Sequence, residues 1–326
     1  MNNRRKLIVA LGASAFAAPF GTFAQQQRRL WRIGLLSSET LDPLRLDTFR
    51  AGLRDLGDIG RENVVIESRW AEGKYDRLPD LAAELVRLNP DVLVAVGIKA
   101  TVAARDSHAT VPIVFLGVSD PVATGLVSNL ARPGGNVTGL SFMGPELMAK
   151  QLELLKEAVP HLTRVAVLQN PANLSSAESN RHAMEIAAKS LKLSLQPFEV
   201  RSRNEFDSAF AAMVKRRITA VIVQTDTLFI SNAKVVADLA AKQRLPSAGF
   251  REYAEAGGVI GYGANLIEMF RGAAVLTNKI LKGAKPGDIP VERAMKFDLV
   301  LNMKTAKAIA LTIPQTILAR ADRVIE

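Results

Sequence analysis

The chain has 326 residues, 48% of them hydrophobic, which excludes a disordered protein and is enough for more than one core. It has no cysteine, which excludes disulfides and a lipid-modified cysteine anchor. The net charge is +10, and the longest basic cluster, Lys215-Arg216-Arg217, closes a predicted helix, where cations favour the helix dipole, without interleaved aromatics; no nucleic-acid partner is expected.

The amino terminus reads as an export signal rather than as part of the fold. Arg4-Arg5-Lys6 is a basic stretch, Leu7 to Phe20 is apolar, and Thr22-Phe23-Ala24 has small residues where a signal peptidase reads them. Cleavage is expected after Ala24, and the general secretory and twin-arginine routes both remain open. No other apolar run reaches the roughly 18 residues of a membrane span.

Trp31 to Leu36 is the first predicted strand, with Ser37-Ser38-Glu39-Thr40 as the loop at its carboxyl end. Leu46, Phe49, Leu53 and Leu56 recur at helical spacing, and Gly57 ends that helix. Asn63 to Arg69 alternates as a half-buried strand; Leu78, Leu81, Leu85 and Leu88 mark a second helix, stopped before Pro90. Val92 to Val96 is a fully apolar strand, and Gly97-Ile98-Lys99-Ala100-Thr101 leads into a helix ending near His108. Ile113 to Leu116 is the next buried strand, followed by Gly117-Val118-Ser119-Asp120-Pro121. Asp120 is suited to cap a helix there, with Pro121 in its first turn. Val137 to Leu140 is a further strand. This βαβαβαβ order is a doubly wound parallel sheet.

The pattern then repeats. Helices are expected at Glu146–Ala158, Ser176–Leu191, Glu205–Arg217, Asn232–Gln243, Asn265–Leu281 and Lys304–Ile309. Strands are expected at Arg164–Leu168, Leu193–Phe198, Ala220–Val223, Pro246–Phe250, Gly257–Tyr262 and Phe297–Leu301. Two consecutive doubly wound units imply two lobes facing each other across a cleft, walled by loops at strand carboxyl ends.

Catalytic and metal signatures are missing from the sequence. His108, His161 and His182 have no ligand-type spacing to one another or to carboxylates. There is neither a G-x-S-x-G elbow nor a P-loop, and Gly258-Val259-Ile260-Gly261-Tyr262-Gly263 has the wrong glycine spacing for a dinucleotide. That stretch reads as a strand crossing between lobes with close backbone approach. No enzyme activity and no cofactor are expected.

Residues 52–86 (GLRDLGDIGRENVVIESRWAEGKYDRLPDLAAELV), 112–141 (PIVFLGVSDPVATGLVSNLARPGGNVTGLS), RVAVLQNPAN at 164–173, GFREYAEAGGVIGYGAN at 249–265 and FDLVLNMKTAKAIAL at 297–311 resemble the ABC-transporter substrate-binding protein family. The resembling branch includes binders of aromatic amino acids such as tryptophan. The resemblance covers the chain beyond the export signal. It implies a type I periplasmic-binding-protein fold, with two lobes joined by three crossovers placed near Leu140–Gly144, Gly258–Gly263 and Gly283–Val291. The first lobe would then comprise 30–142 plus 262–291 and the second 143–261 plus 292–326. It also implies an exported, monomeric periplasmic protein that delivers a small amino-acid-like ligand to a membrane permease. A ligand-loaded sensor subunit for a membrane receptor, or an exported enzyme on the same scaffold, are the alternatives.

In that cleft the first lobe offers Ser37, Glu39, Thr40, Gly97, Lys99, Ala100, Thr101, Ser119, Asp120 and Pro121. The second offers Asn170, Asn173, Gln224, Asp226, Thr227, Phe250, Arg251 and Tyr253, with Tyr262 near the crossing. Helix N-termini suit a ligand carboxylate. Asp120, Glu39 or Asp226 suits an ammonium, and Phe250, Tyr253 and Tyr262 suit a ring or apolar cover. For Asp120, helix capping and ligand contact both stand as roles.

Overall fold

A computed structural model describes residues 29–57, 63–107, 110–294 and 296–326, and all side chains within them except those of 173–177. The expected export signal and His108 lie outside the described residues. The first lobe begins with β1 (Trp31–Ser37), α1 (Pro43–Asp55), β2 (Val64–Trp70), α2 (Leu78–Arg87), β3 (Val92–Val96), α3 (Ile98–Asp106), β4 (Ile113–Val118) and β5 (Val137–Ser141). There follow α4 (Gly144–Ala158), β6 (Arg164–Gln169), α5 (Leu174–Leu191), β7 (Ser194–Glu199), α6 (Phe206–Lys215) and β8 (Ala220–Val223). Next come α7 (Thr227–Ser231), α8 (Ala233–Lys242), β9 (Ser247–Gly249), α9 (Arg251–Glu255) and β10 (Ile260–Ala264). The chain ends with α10 (Leu266–Leu281), β11 (Glu292–Arg293), β12 (Phe297–Asn302), α11 (Met303–Ala308), α12 (Gln315–Leu318) and β13 (Arg323–Ile325).

Two sheets form. The first runs β11-β5-β4-β3-β1-β2 and is parallel throughout; the second runs β13-β12-β10-β9-β8-β6-β7 and is parallel except between β10 and β12. Both faces of each sheet are covered, so the central strands are apolar end to end, as Val92–Val96 shows. In the first lobe α1 and α10 cover one face, with Phe49, Leu53, Phe270 and Leu276 in the core, and α2 and α3 cover the other with Leu81, Leu85, Ala100 and Ala104. β2 lies at the sheet's edge and is half-buried along its length, which accounts for its alternation.

The chain passes between the lobes after β5, after β10 and after β11. The sheet membership of two segments bears on the expected crossovers. β10 belongs to the second sheet, paired with both β9 and β12, and Asn265 directly after it caps α10 through its side chain. The glycines there serve close packing, because a Cβ on Gly261 would overlap the backbone of Arg251 in α9, and one on Gly258 the ring of Tyr253. Likewise 292–293 pairs with β5 in the first sheet, so the last crossing follows it. At the first crossing Met143 holds a left-handed φ of 55° before α4 begins. No described helix is long and apolar enough to cross a membrane.

The helix expected after Asp120 is absent. The cap forms, with Asp120 Oδ1 accepting the N–H groups of Val122 and Ala123 at 3.2 and 2.9 Å, but residues 121–125 make only turns. Gly125 takes a φ of 67°, incompatible with continuing a right-handed helix.

Candidate functional site

The carboxyl ends of β1, β3 and β4 in the first lobe face those of β8 and β9 in the second, and a cavity lies between them. Its charged and polar lining includes Glu39, Arg45, Ser119, Thr225, Asp226, Thr227, Arg251 and Glu252. Its apolar wall includes Val96, Ile98, Leu116, Phe142, Leu147, Ile230, Phe250, Met269 and Phe270.

The lobes touch around it. Tyr75, just beyond β2, donates its hydroxyl to Asp226 Oδ1 at 3.1 Å. Ser119 donates to Asn180 Oδ1 at 3.3 Å, and Ser179 donates to Asp120 Oδ2 at 3.3 Å. A Cβ on Gly97 would stand 3.4 Å from Thr227 Oγ1 across the cleft, and its φ of 87° also favours glycine where β3 turns into α3. This is a closed arrangement of the lobes.

Asp226 organises the second-lobe wall. Its Oδ1 accepts the Leu228 N–H at 2.9 Å, capping α7, and the Asn170 amide at 3.0 Å, besides the Tyr75 hydroxyl. Burial, then the neighbouring Asp226 charge, hold the Tyr75 phenol well above its ordinary pKa, so it remains a donor.

Facing it is an ion cluster. Arg45 Nη1 lies 2.5 Å from Glu39 Oε2 and its Nε 2.8 Å from Asp42 Oδ2. Glu252, from the opposite lobe, acts on the same guanidinium. Burial raises the Glu39 carboxyl above the usual carboxylate range despite Arg45, and burial raises Glu252 likewise. A carboxyl raised in the closed form favours closure below its ordinary pKa, and that contribution is lost as pH rises through the raised value.

Of the residues expected to line the cleft, Glu39, Gly97, Ser119, Asp226, Thr227, Phe250 and Arg251 border the cavity. Others stand one layer back. Ser37 accepts the Glu39 N–H at 3.0 Å, Thr101 donates to the Gly97 carbonyl at 2.8 Å, and Asn170 and Gln224 are buried beside Asp226 and behind Asn170. Ala100 and Tyr253 belong to the cores beneath. Tyr262 stacks on Phe297, ring centroids 6.0 Å apart, between the two cores. Lys99 faces an outer groove between α2 and α3, and Thr40 is exposed. The Asn173 side chain lies outside the described residues.

Asp120 and Pro121 are not on the cavity wall; they border a separate groove with Ser141, Met143, Glu146 and Arg293. Asp120 works as a turn cap with one contact to Ser179. Because Asn caps about as well as Asp, Asp120→Asn is expected to change affinity by less than about threefold and stability by under about 1 kcal/mol. Calorimetric titration beside urea melts measures both, and a tenfold loss of affinity would restore a direct ligand role.

Sequence reasoning missed Arg45, Tyr75, Glu252 and the aromatic wall of Phe142 and Phe270. Arg45 follows a visible N-cap, Asp42, which accepts from Leu44 and Arg45, and so resembles a solvated first-turn residue. Glu252 lies within the Phe250–Tyr253 stretch expected at the cleft, between residues singled out there. Met269 and Phe270 stand one turn along α10 from Leu266, a spacing that was available.

Comparison with known proteins agrees with this architecture. The family model described as ABC transporter substrate binding protein matches residues 35–325. A protein of Clostridioides difficile named tyrosine-binding protein is 26% identical over 290 residues, spanning 88% of this chain and 82% of that one. A conserved domain protein of Vibrio cholerae superposes with a TM-score of 0.83 at 28% identity, covering 91% of this chain and 100% of that one. The ABC domain from Streptococcus pneumonia in complex with L-Trp gives 0.83 at 25% identity, covering 90% and 99%.

Proposed function

From the premise that the chain belongs to the ABC transporter substrate-binding protein family, and so is a binding protein and not an enzyme, we propose that it is an exported receptor that captures an amino-acid-like ligand between its lobes and presents it to a membrane permease. The observation that carries this reading is the interlobe cavity, whose apolar and aromatic walls adjoin charged groups from both lobes. Such a cavity suits a zwitterion with an apolar side chain. The relatives that bear a ligand, tyrosine in one name and L-Trp in one complex, point the same way. The expected signal at 1–24 and a periplasmic, monomeric state complete the proposal. We take the lobes as 31–142 with 266–293 and 143–265 with 297–325, following the sheet membership of their strands.

Closure follows from the contacts. The bonds from Tyr75, Ser119 and Ser179 require both lobes, so an open form lacks them. Calorimetric screening of the twenty amino acids is expected to find micromolar or tighter binding. Small-angle scattering should then show a smaller radius of gyration with the ligand than without. An unchanged radius at saturation would remove the clamp from the proposal, and no binding by any amino acid would remove the ligand class. Amino-terminal sequencing of exported protein is expected to begin near Gln25.

A further inference from the structure

The cavity walls are unevenly charged. Three carboxylates border the space, Glu39, Asp226 and Glu252, against two guanidiniums, Arg45 and Arg251. Both guanidiniums are already committed to the protein. Arg45 holds Glu39 and Asp42 at 2.5 and 2.8 Å. Arg251 holds Asp298 at 3.0 Å, Glu255 at 3.2 Å and Glu252 at 3.7 Å. Lys99, the cation expected nearby, lines an outer groove instead. A net negative cleft therefore sits in a chain of net charge +10.

A second observation points into the same space. Thr225 borders the cavity, and its hydroxyl is shut off from solvent with no hydrogen-bond partner among the described residues. Burying such an atom without a partner is costly, and an N–H donor from a ligand would satisfy it. A hydroxyl also accepts from an ammonium while contributing no charge of its own.

We propose that this cavity selects its ligand by positive charge, so that a primary ammonium on an apolar or aromatic body suffices for binding and a ligand carboxylate is dispensable. This rests on the interlobe cavity being the ligand site. Closing the lobes around a cation neutralises buried carboxylates that otherwise repel one another, whereas closing them around an anion adds to the excess. Burial raises the Glu39 and Glu252 carboxyls, and the neighbouring guanidiniums only partly offset it, so a further cation between the lobes would relieve both. A zwitterionic amino acid remains acceptable, because backbone N–H groups opening α3 beside Gly97 can face its carboxylate without a charged side chain. The inferred ligand class thus extends from amino acids to the amines that decarboxylation makes from them.

The test is a matched panel titrated calorimetrically into the purified protein at pH 7. It comprises L-tryptophan, tryptamine and indole-3-propionate; L-tyrosine, tyramine and 3-(4-hydroxyphenyl)propionate; and L-leucine, isoamylamine and 4-methylpentanoate. In at least one series the amine is expected to bind within about thirtyfold of its amino acid and at least about a hundredfold more tightly than its acid, a charge-assisted difference. If in every series the amine misses either mark, or no amine binds, the proposal is overturned. If an amine binds a hundredfold better than its acid while no amino acid binds, the charge rule stands and the amino-acid reading of the site falls. Glu252→Gln, a partly exposed position, is expected to weaken the amine about tenfold and to strengthen the acid. Equal affinities in variant and parent would overturn the assignment of that charge.

Discussion

Asp226→Ala is expected to lower the stability of the unliganded protein by about 2 kcal/mol and ligand affinity by about a hundredfold. The stability loss has two sources within the second lobe. The Leu228 N–H loses its cap acceptor, worth about 1 kcal/mol at an N-cap, and the fully buried Asn170 amide loses its partner. The affinity loss has a further source, because the Tyr75 hydroxyl crosses from the other lobe and misses its Asp226 acceptor only when the lobes close. Asp226→Asn separates the contributions. Asn caps nearly as well and keeps an acceptor oxygen, so stability should fall by less than about 1 kcal/mol, while the missing charge should still weaken a cationic ligand about tenfold. Urea melts and calorimetric titration of both variants make the comparison. If alanine leaves affinity intact, Asp226 is a structural cap and no part of the closure.

Gly139→Ala is expected to cost about 3 kcal/mol, the upper end of overpacking penalties, and to lower the melting temperature by roughly 6–12 °C. Gly139 stands in β5 opposite Phe115 in parallel register. A Cβ there would overlap the Phe115 carbonyl oxygen and lie 2.5 Å from its ring Cγ and 2.7 Å from Cδ2. The ring is wholly buried under α2 and α3 and the carbonyl belongs to a central strand, so neither can yield cheaply. Leu116 to Ser119, which continue β4, wall the cavity, and a displaced strand should weaken ligand binding as well. A calorimetric melt within 1 °C of the parent would show that β4 and β5 separate more easily than their packing implies.

Most of the architecture was legible because its elements are long or strongly apolar. A strand such as Val92–Val96 and a helix such as Leu78–Arg87 each carry a full period of burial. The five-residue helices α7 and α9 are shorter than the spacing over which helical periodicity shows, and β11 has two residues. The Asp120-Pro121 pair shows a signal that was real and still misleading. The cap bonds form, yet the turn they initiate ends at Gly125. For the site, strand-end loops led to Glu39, Gly97, Asp226 and Phe250, which border the interlobe cavity, since a doubly wound sheet puts its cleft there. Tyr75 was out of reach because its partner is 151 residues away. Arg45 is the first buried residue of α1, after the exposed Pro43 and Leu44, and no apolar periodicity marks its inward position.

The interleaving of the two lobes also bears on how the chain can be assembled. The first sheet acquires its edge strand from residues 292–293 and much of its core from 266–281, after most of the second lobe has been made. The second sheet in turn acquires β12 and β13 last. Neither half can therefore complete its hydrophobic core while the other is still being synthesised, and no single cut yields two fragments that each correspond to a finished lobe. Folding must await nearly the whole polypeptide, and its rate is governed by contacts distant in sequence rather than by local helix formation.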